Sequence, residues 1–269
     1  MIIKKYQHPL RFYMLATLLP WACWLIAAYL SHSNSGGTTI LQSIFAFAGL
    51  LFPIVIAYLM TLPDRELQQD LFGRFFNFKQ IKLRYWFVTF FSMLISILLA
   101  QAISLLFGYS SSQFHLAKSF SFTSGIFPVW FLLVAAPLLE ELAWHSYGTD
   151  SLRSRFNLFN TSILFALFWG IWHMPLSLIK DYYHSNLVET GLIYSLNFFI
   201  SLFPFVLIMN WLYYKTGRNI TVTIIFHITA GFFNEIFSTH PMSKVIQTGL
   251  LVLFSIYLIT NDKKYFFNK

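Results

Sequence analysis

The stretch Phe127-Pro-Val-Trp-Phe-Leu-Leu-Val-Ala-Ala-Pro-Leu-Leu-Glu140-Glu141-Leu-Ala-Trp144 decides the fold class and locates the chemistry. It is apolar up to two adjacent glutamates. A carboxylate in hydrocarbon costs several kcal/mol, so an ionisable residue within a membrane span marks a candidate functional site. The whole chain has only ten acidic residues, and two of them stand here.

The rest of the chain has the same character. It is 57% hydrophobic, 20% aromatic and only 10% charged over 269 residues, against about 25% charged in soluble domains. A span needs roughly 20 mostly apolar residues, and eight candidates appear, at about 11–31, 40–62, 86–107, 127–148, 159–180, 191–214, 220–238 and 245–261. The expected fold is an all-α polytopic bundle of about eight transmembrane helices, one domain over 1–269. The run from Phe12 to Leu30 follows a basic N-terminus but is long and has no clear cleavage site, so it reads as a retained first helix. The lone Cys23 permits no intrachain disulfide.

The net charge of +8 reads as topology rather than nucleic-acid binding. With the N-terminus in the cytoplasm, 15 of the 18 Lys and Arg fall in cytoplasmic segments, leaving Lys118, Lys180 and Lys244 outside. The positive-inside rule then places both termini in the cytoplasm. Segment 64–85 carries Phe72, Phe75, Phe76 and Phe78 among Arg74, Lys79, Lys82 and Arg84. It is either an amphipathic piece in the interface or a plain basic loop.

Three motifs could carry chemistry. In Glu140-Glu141-Leu-Ala-Trp-His145, His145 lies one helical turn after Glu141 on the same face. A Glu141–His145 pair would hold Glu141 charged and leave Glu140 to take a proton from water as general base. In Phe168-Trp-Gly-Ile-Trp-His173-Met-Pro175, the proline opens the helix beside His173. In His227-Ile-Thr-Ala-Gly231-Phe-Phe-Asn234-Glu235, His227 and Asn234 share a face and Gly231 leaves room between them. Asn234 could donate to an oxyanion, and Glu235 is expected at the interface. Glu140 and His227 lie about 10–12 Å from the cytoplasmic ends of their helices, with His173 deeper. The three are expected to share one cytoplasm-facing cavity, and two His with one Glu also make an acceptable zinc set. No His-Glu-x-x-His, Gly-x-Ser-x-Gly or P-loop pattern occurs.

Taken in order, these motifs resemble the CPBP family of intramembrane proteases, which includes CAAX prenyl endopeptidases and bacterial proteins of bacteriocin processing and immunity. The resemblance covers about 127–238. Its pattern is Glu-Glu-x-x-x-Arg, Phe-x-x-x-His and His-x-x-x-Asn; this chain has His145, Trp169 and Gly231 at the Arg, Phe and Asn positions. The resemblance implies that Glu140 and His173 activate a water and that His227 with an amide stabilises the oxyanion. Glu141, His145 and Asn234 are then supporting residues. The substrate would be a membrane-tethered peptide or protein, prenylated or a precursor peptide, met in the lipid bilayer. Two other readings are a non-catalytic immunity or regulatory scaffold and a proton-coupled transporter. A transporter usually shows internal repeats or matched broken helices, and neither is visible in the sequence.

Overall fold

The computed structural model describes residues 2–33, 37–79 and 81–268. Residues 34–36 of the first connector and Lys269 of the basic set lie outside the described residues. The described residues form helices joined by short turns. They are α1 (Pro9–Ser31), α2 (Thr38–Thr61), α3 (Arg65–Gly73), α4 (Leu83–Leu105), α5 (Val129–Ala143), α6 (Thr149–Arg153), α7 (Leu158–Trp172), α8 (Tyr183–Thr190), α9 (Leu192–Lys215), α10 (Ile220–Ile236), α11 (Pro241–Asn261) and α12 (Lys263–Phe267). Among the described residues six segments are long and apolar enough to cross a membrane: α1, α2, α4, α9, α11 and α7 with its 3₁₀ extension to Leu178. The other two expected spans are the shorter apolar α10 and the interrupted α5. The chain is a multi-pass integral membrane protein.

Successive long helices alternate in direction, so the bundle has two ends. One end gathers the termini: Lys5 pairs with Asp64 at 3.0 Å, Asn157 donates to the Phe267 carbonyl at 3.4 Å, and Lys215 pairs with Asp262 at 2.9 Å. The opposite end holds the turn after α1, the loop between α4 and α5, and α8. There Lys180 N–H donates to Ser31 Oγ at 3.0 Å, and Leu116 bridges Phe237.

Local signals set the site-bearing helices. Asn157 and Asn219 cap α7 and α10 by accepting from Asn160 N–H at 2.8 Å and Val222 N–H at 3.1 Å. Such a cap satisfies a donor that the first turn cannot pair internally. Pro175 ends α7 as expected, since the chain passes at His173 into a 3₁₀ turn. At Gly170 a Cβ would come within 2.4 Å of the Phe199 ring, so the missing side chain lets α7 close onto α9. The sequence did not lead us to expect α8, which crosses what read as a connector between spans.

The Glu-Glu motif ends in a π turn, Trp144–Gly148. A π turn breaks the ordinary i to i−4 ladder and leaves carbonyls to be satisfied otherwise. The Arg74 guanidinium takes up the carbonyls of His145 at 2.9 Å and Ser146 at 2.8 Å, and Tyr213 Oη donates to the first at 2.8 Å. Arg74 also donates to Asp150 at 2.8 Å and to Tyr6 at 2.7 Å, and Arg218 forks onto Asp70 with two bonds of 2.8 Å. This corrects the reading of 64–85. Its phenylalanines Phe72 and Phe76 are exposed, but Arg74 is buried within the bundle, because two carboxylates and two orphan carbonyls meet there.

Breaking a buried pair from one side leaves an uncompensated charge, at a cost of about 3–5 kcal/mol. Arg74→Met should therefore lower the thermal unfolding midpoint of the detergent-solubilised protein markedly, while Lys79→Met leaves it within a degree or two. An unchanged midpoint for Arg74→Met would show that the cluster is not structural.

Candidate active site

Glu140 and Glu141 come from α5, His173 from the end of α7, and His227 from the second turn of α10. α10 packs on α5, and α7 and α10 both pack on α9, which gathers α5, α7 and α10 around one space. The indole of Trp169 is the centre of the arrangement. Its Nε1–H donates to Glu140 Oε2 at 2.9 Å. Its ring lies 5.4 Å from the His173 ring and 5.2 Å from the His227 ring, centroid to centroid. Phenylalanine could pack in this way but could not donate.

Each imidazole is fixed through Nδ1. That of His173 donates to the Trp169 carbonyl at 2.6 Å, since a carbonyl only accepts. That of His227 faces Glu141 Oε1 at 2.9 Å. Nε2 of each ring is then the atom left for a substrate or a water. The other oxygen of Glu141 bonds His145 Nδ1. Glu141 and His145 are fully buried, whereas Glu140 and His173 retain 7% and 8% exposure and line the cavity. The two glutamates, about 100° apart on the helix, thus have separate surroundings. The expected Glu141–His145 pair forms; the bond from Glu141 to His227 was not anticipated.

The cavity is about 280 Å³ and is lined by Glu140, Trp169, His173, His227, Gly231 and Asn234, with apolar side chains from α4, α5 and α9. It continues past Phe122, Tyr183, Glu235 and Lys244, all at the end remote from the termini. None of the basic loops at the termini end contributes to the lining. This corrects the expectation of a cavity facing the termini side. The physical reason is His173, which sits at the far end of α7 and draws the site with it.

Asn234 lines the cavity as expected, but its amide donates to Tyr183 Oη at 3.1 Å and so tethers α8 to α10. Glu235 is buried at the far end of α10, accepting from Ser121 N–H at 2.9 Å and Ser121 Oγ at 3.0 Å. A Cβ at Gly231 would touch only Leu133, at 3.6 Å, so that position is open on the cavity side. Glu140, His173 and His227, which could make an acceptable zinc set, are not grouped as one here. Among the described residues no three His, Cys, Asp or Glu side chains are grouped to hold a metal ion. Instead, one oxygen of Glu140 is taken by the indole around which both imidazoles pack.

Two residues that the sequence reading passed over belong here. His184 of α8 lines the cavity with its ring 5.0 Å from that of His173, and neither of its nitrogens has a partner among the described residues. Asn210 of α9 bonds His145 Nε2 at 2.9 Å. Asn210, with Asn197 one of two amides in the apolar run of α9, was a readable signal; a histidine in a connector was not.

Comparison with known proteins identifies the family. Residues 121–233 match the family model described as type II CAAX prenyl endopeptidase, Rce1-like. The chain is 36% identical over 271 aligned positions to CAAX prenyl protease 2 of Methanococcus maripaludis, covering 100% of this chain and 99% of that protein. On this full-length similarity, and with Glu140, His173 and His227 lining one cavity, the chain belongs to the CPBP family of intramembrane proteases, in its Rce1-like CAAX prenyl endopeptidase branch.

Proposed function

We propose that this protein hydrolyses a peptide bond of a membrane-tethered, prenylated peptide or protein, with water activated by Glu140 and His173. The observation that carries the reading is the unequal treatment of the two glutamates. Glu141 is closed in between two histidines, while Glu140 keeps one oxygen on Trp169 and opens to the cavity.

A water between Glu140 and His173 gives one hydrogen to the carboxylate and the other to His173 Nε2, which aims its lone pair at the scissile carbonyl. As the water oxygen bonds to that carbon, its proton passes to Glu140 and the carbonyl becomes an oxyanion. Collapse breaks the C–N bond, and Glu140 returns the proton to the departing amine. General base catalysis of this kind contributes about 10²–10⁴-fold. His227 packs on the Trp169 ring and is anchored through its Nδ1–H by Glu141; as an imidazolium it donates its Nε2–H to the developing oxyanion. The apolar lining of the cavity suits a substrate carrying a prenyl chain. The mouth lies on the membrane face opposite the chain termini.

Three outcomes check this reading. Glu140→Gln should lower turnover of a prenylated fluorogenic peptide by about 10² or more with normal yield of folded protein. Trp169→Phe, which keeps the packing and removes the donor, should lower kcat with little change in KM. If no prenylated peptide is cut by the wild type, the non-catalytic scaffold reading prevails.

Gly231→Asn should raise turnover, because the position faces the cavity, has room, and would add an amide donor beside His227. An equal or lower rate would mean that the oxyanion is served without this position. For the mouth, a cysteine in place of Lys244 should react with a membrane-impermeant maleimide from the side opposite to a cysteine in place of Lys4. Labelling of both from one side would overturn the placement.

A further inference from the structure

We propose that Asn210 and His145 are positioning residues for His227, with His145 holding a hydrogen on both ring nitrogens. Donor and acceptor roles can be assigned along one buried chain of bonds. It begins at the Leu158 carbonyl, which accepts only. Ser162 Oγ lies 2.9 Å from it and gives its hydrogen there. The Ser162 lone pair then faces Asn210 at 2.9 Å, so Asn210 presents its Nδ2–H to the serine and its Oδ1 to His145. An amide oxygen accepts only, so His145 Nε2 carries a hydrogen. On the other side of the ring, Nδ1 faces a carboxylate oxygen of Glu141 and carries a hydrogen too.

Ser162, Asn210, His145 and Glu141 are all fully buried, so no solvent takes either role. The Phe165 and Tyr213 rings pack on the imidazole, and Arg74 touches residue 145 only through its carbonyl. Among the described residues Glu141 is the one carboxylate bonded to the His145 ring. A ring with hydrogen on both nitrogens is a cation, and it keeps Glu141 a full acceptor. Glu141 Oε1 can then hold the Nδ1–H of His227 and turn its Nε2 to the cavity. Asn210, three hydrogen bonds removed from His227, thereby sets which atom of His227 meets the substrate.

The test uses the full-length protein in lipid nanodiscs with 15N-labelled histidine. The His145 signals are those missing from His145→Gln. The expected spectrum shows both His145 nitrogens protonated in the wild type and in Asn210→Asp, and this signature lost in Asn210→Leu. In the kinetic arm, which rests on the protease reading, Asn210→Leu and His145→Gln should lower kcat on a prenylated peptide by about 10-fold or more with KM nearly unchanged, the pattern for an interaction made in the transition state. His145→Arg, a permanent cation, should retain more activity than His145→Gln. One unprotonated His145 nitrogen in the wild type would overturn the proposal, as would an unchanged kcat in Asn210→Leu. Should the wild type cut no peptide, the spectrum still decides the matter, so failure of the two readings is distinguishable.

Discussion

Two carboxylates side by side in an apolar bundle must each find hydrogen-bond donors, and the way they do so governs this structure. A buried charge without partners is far more costly than any single packing defect. Glu141 is satisfied from two helices at once, by His145 one turn on and by His227 of α10. Glu140 is satisfied from a third, by the indole of Trp169 on α7. The bonds that keep these acids tolerable in the bundle are the same bonds that bring α5, α7 and α10 to one cavity. Stability and site geometry are here one problem with one solution.

The π turn after the motif extends this logic. It leaves carbonyls at residues 145 and 146 that the bundle must pair, and it turns Asp150 toward the termini end. Arg74 answers both, which locks α3 onto α5 and α6 and closes the bottom of the site. The far end is held by Ser121 on Glu235, by Asn186 on the Ser121 carbonyl at 2.7 Å, by Asn234 on Tyr183, and by Gln113 bonded to Ser104 and Ser243. The two ends thus differ in kind: guanidinium–carboxylate pairs dominate behind the site, amide and hydroxyl bonds in front of it.

Much of this was legible in the sequence. Glu140, Glu141, His173 and His227 stand out because ionisable groups in apolar runs are rare and expensive. What escaped reading depended on the third dimension. Arg74 sits in a connector full of basic residues, and nothing in its neighbours distinguishes a buried guanidinium from a topology signal. The opening of the cavity was misjudged because depth counted along helices does not say which end the walls leave free. Trp169 was legible at the Phe position of the motif, but spacing cannot tell that the indole N–H meets a carboxylate.

The central claim is that Glu140 activates water and does not itself attack the peptide. A single turnover in H₂¹⁸O, with protein in excess over a prenylated peptide, tests it most directly by mass spectrometry of both product and protein. The account predicts one ¹⁸O in the new carboxyl terminus of the product and none in the peptide containing Glu140. Label on the Glu140 carboxylate, with unlabelled product in the first turnover, would show a covalent acyl intermediate and contradict it.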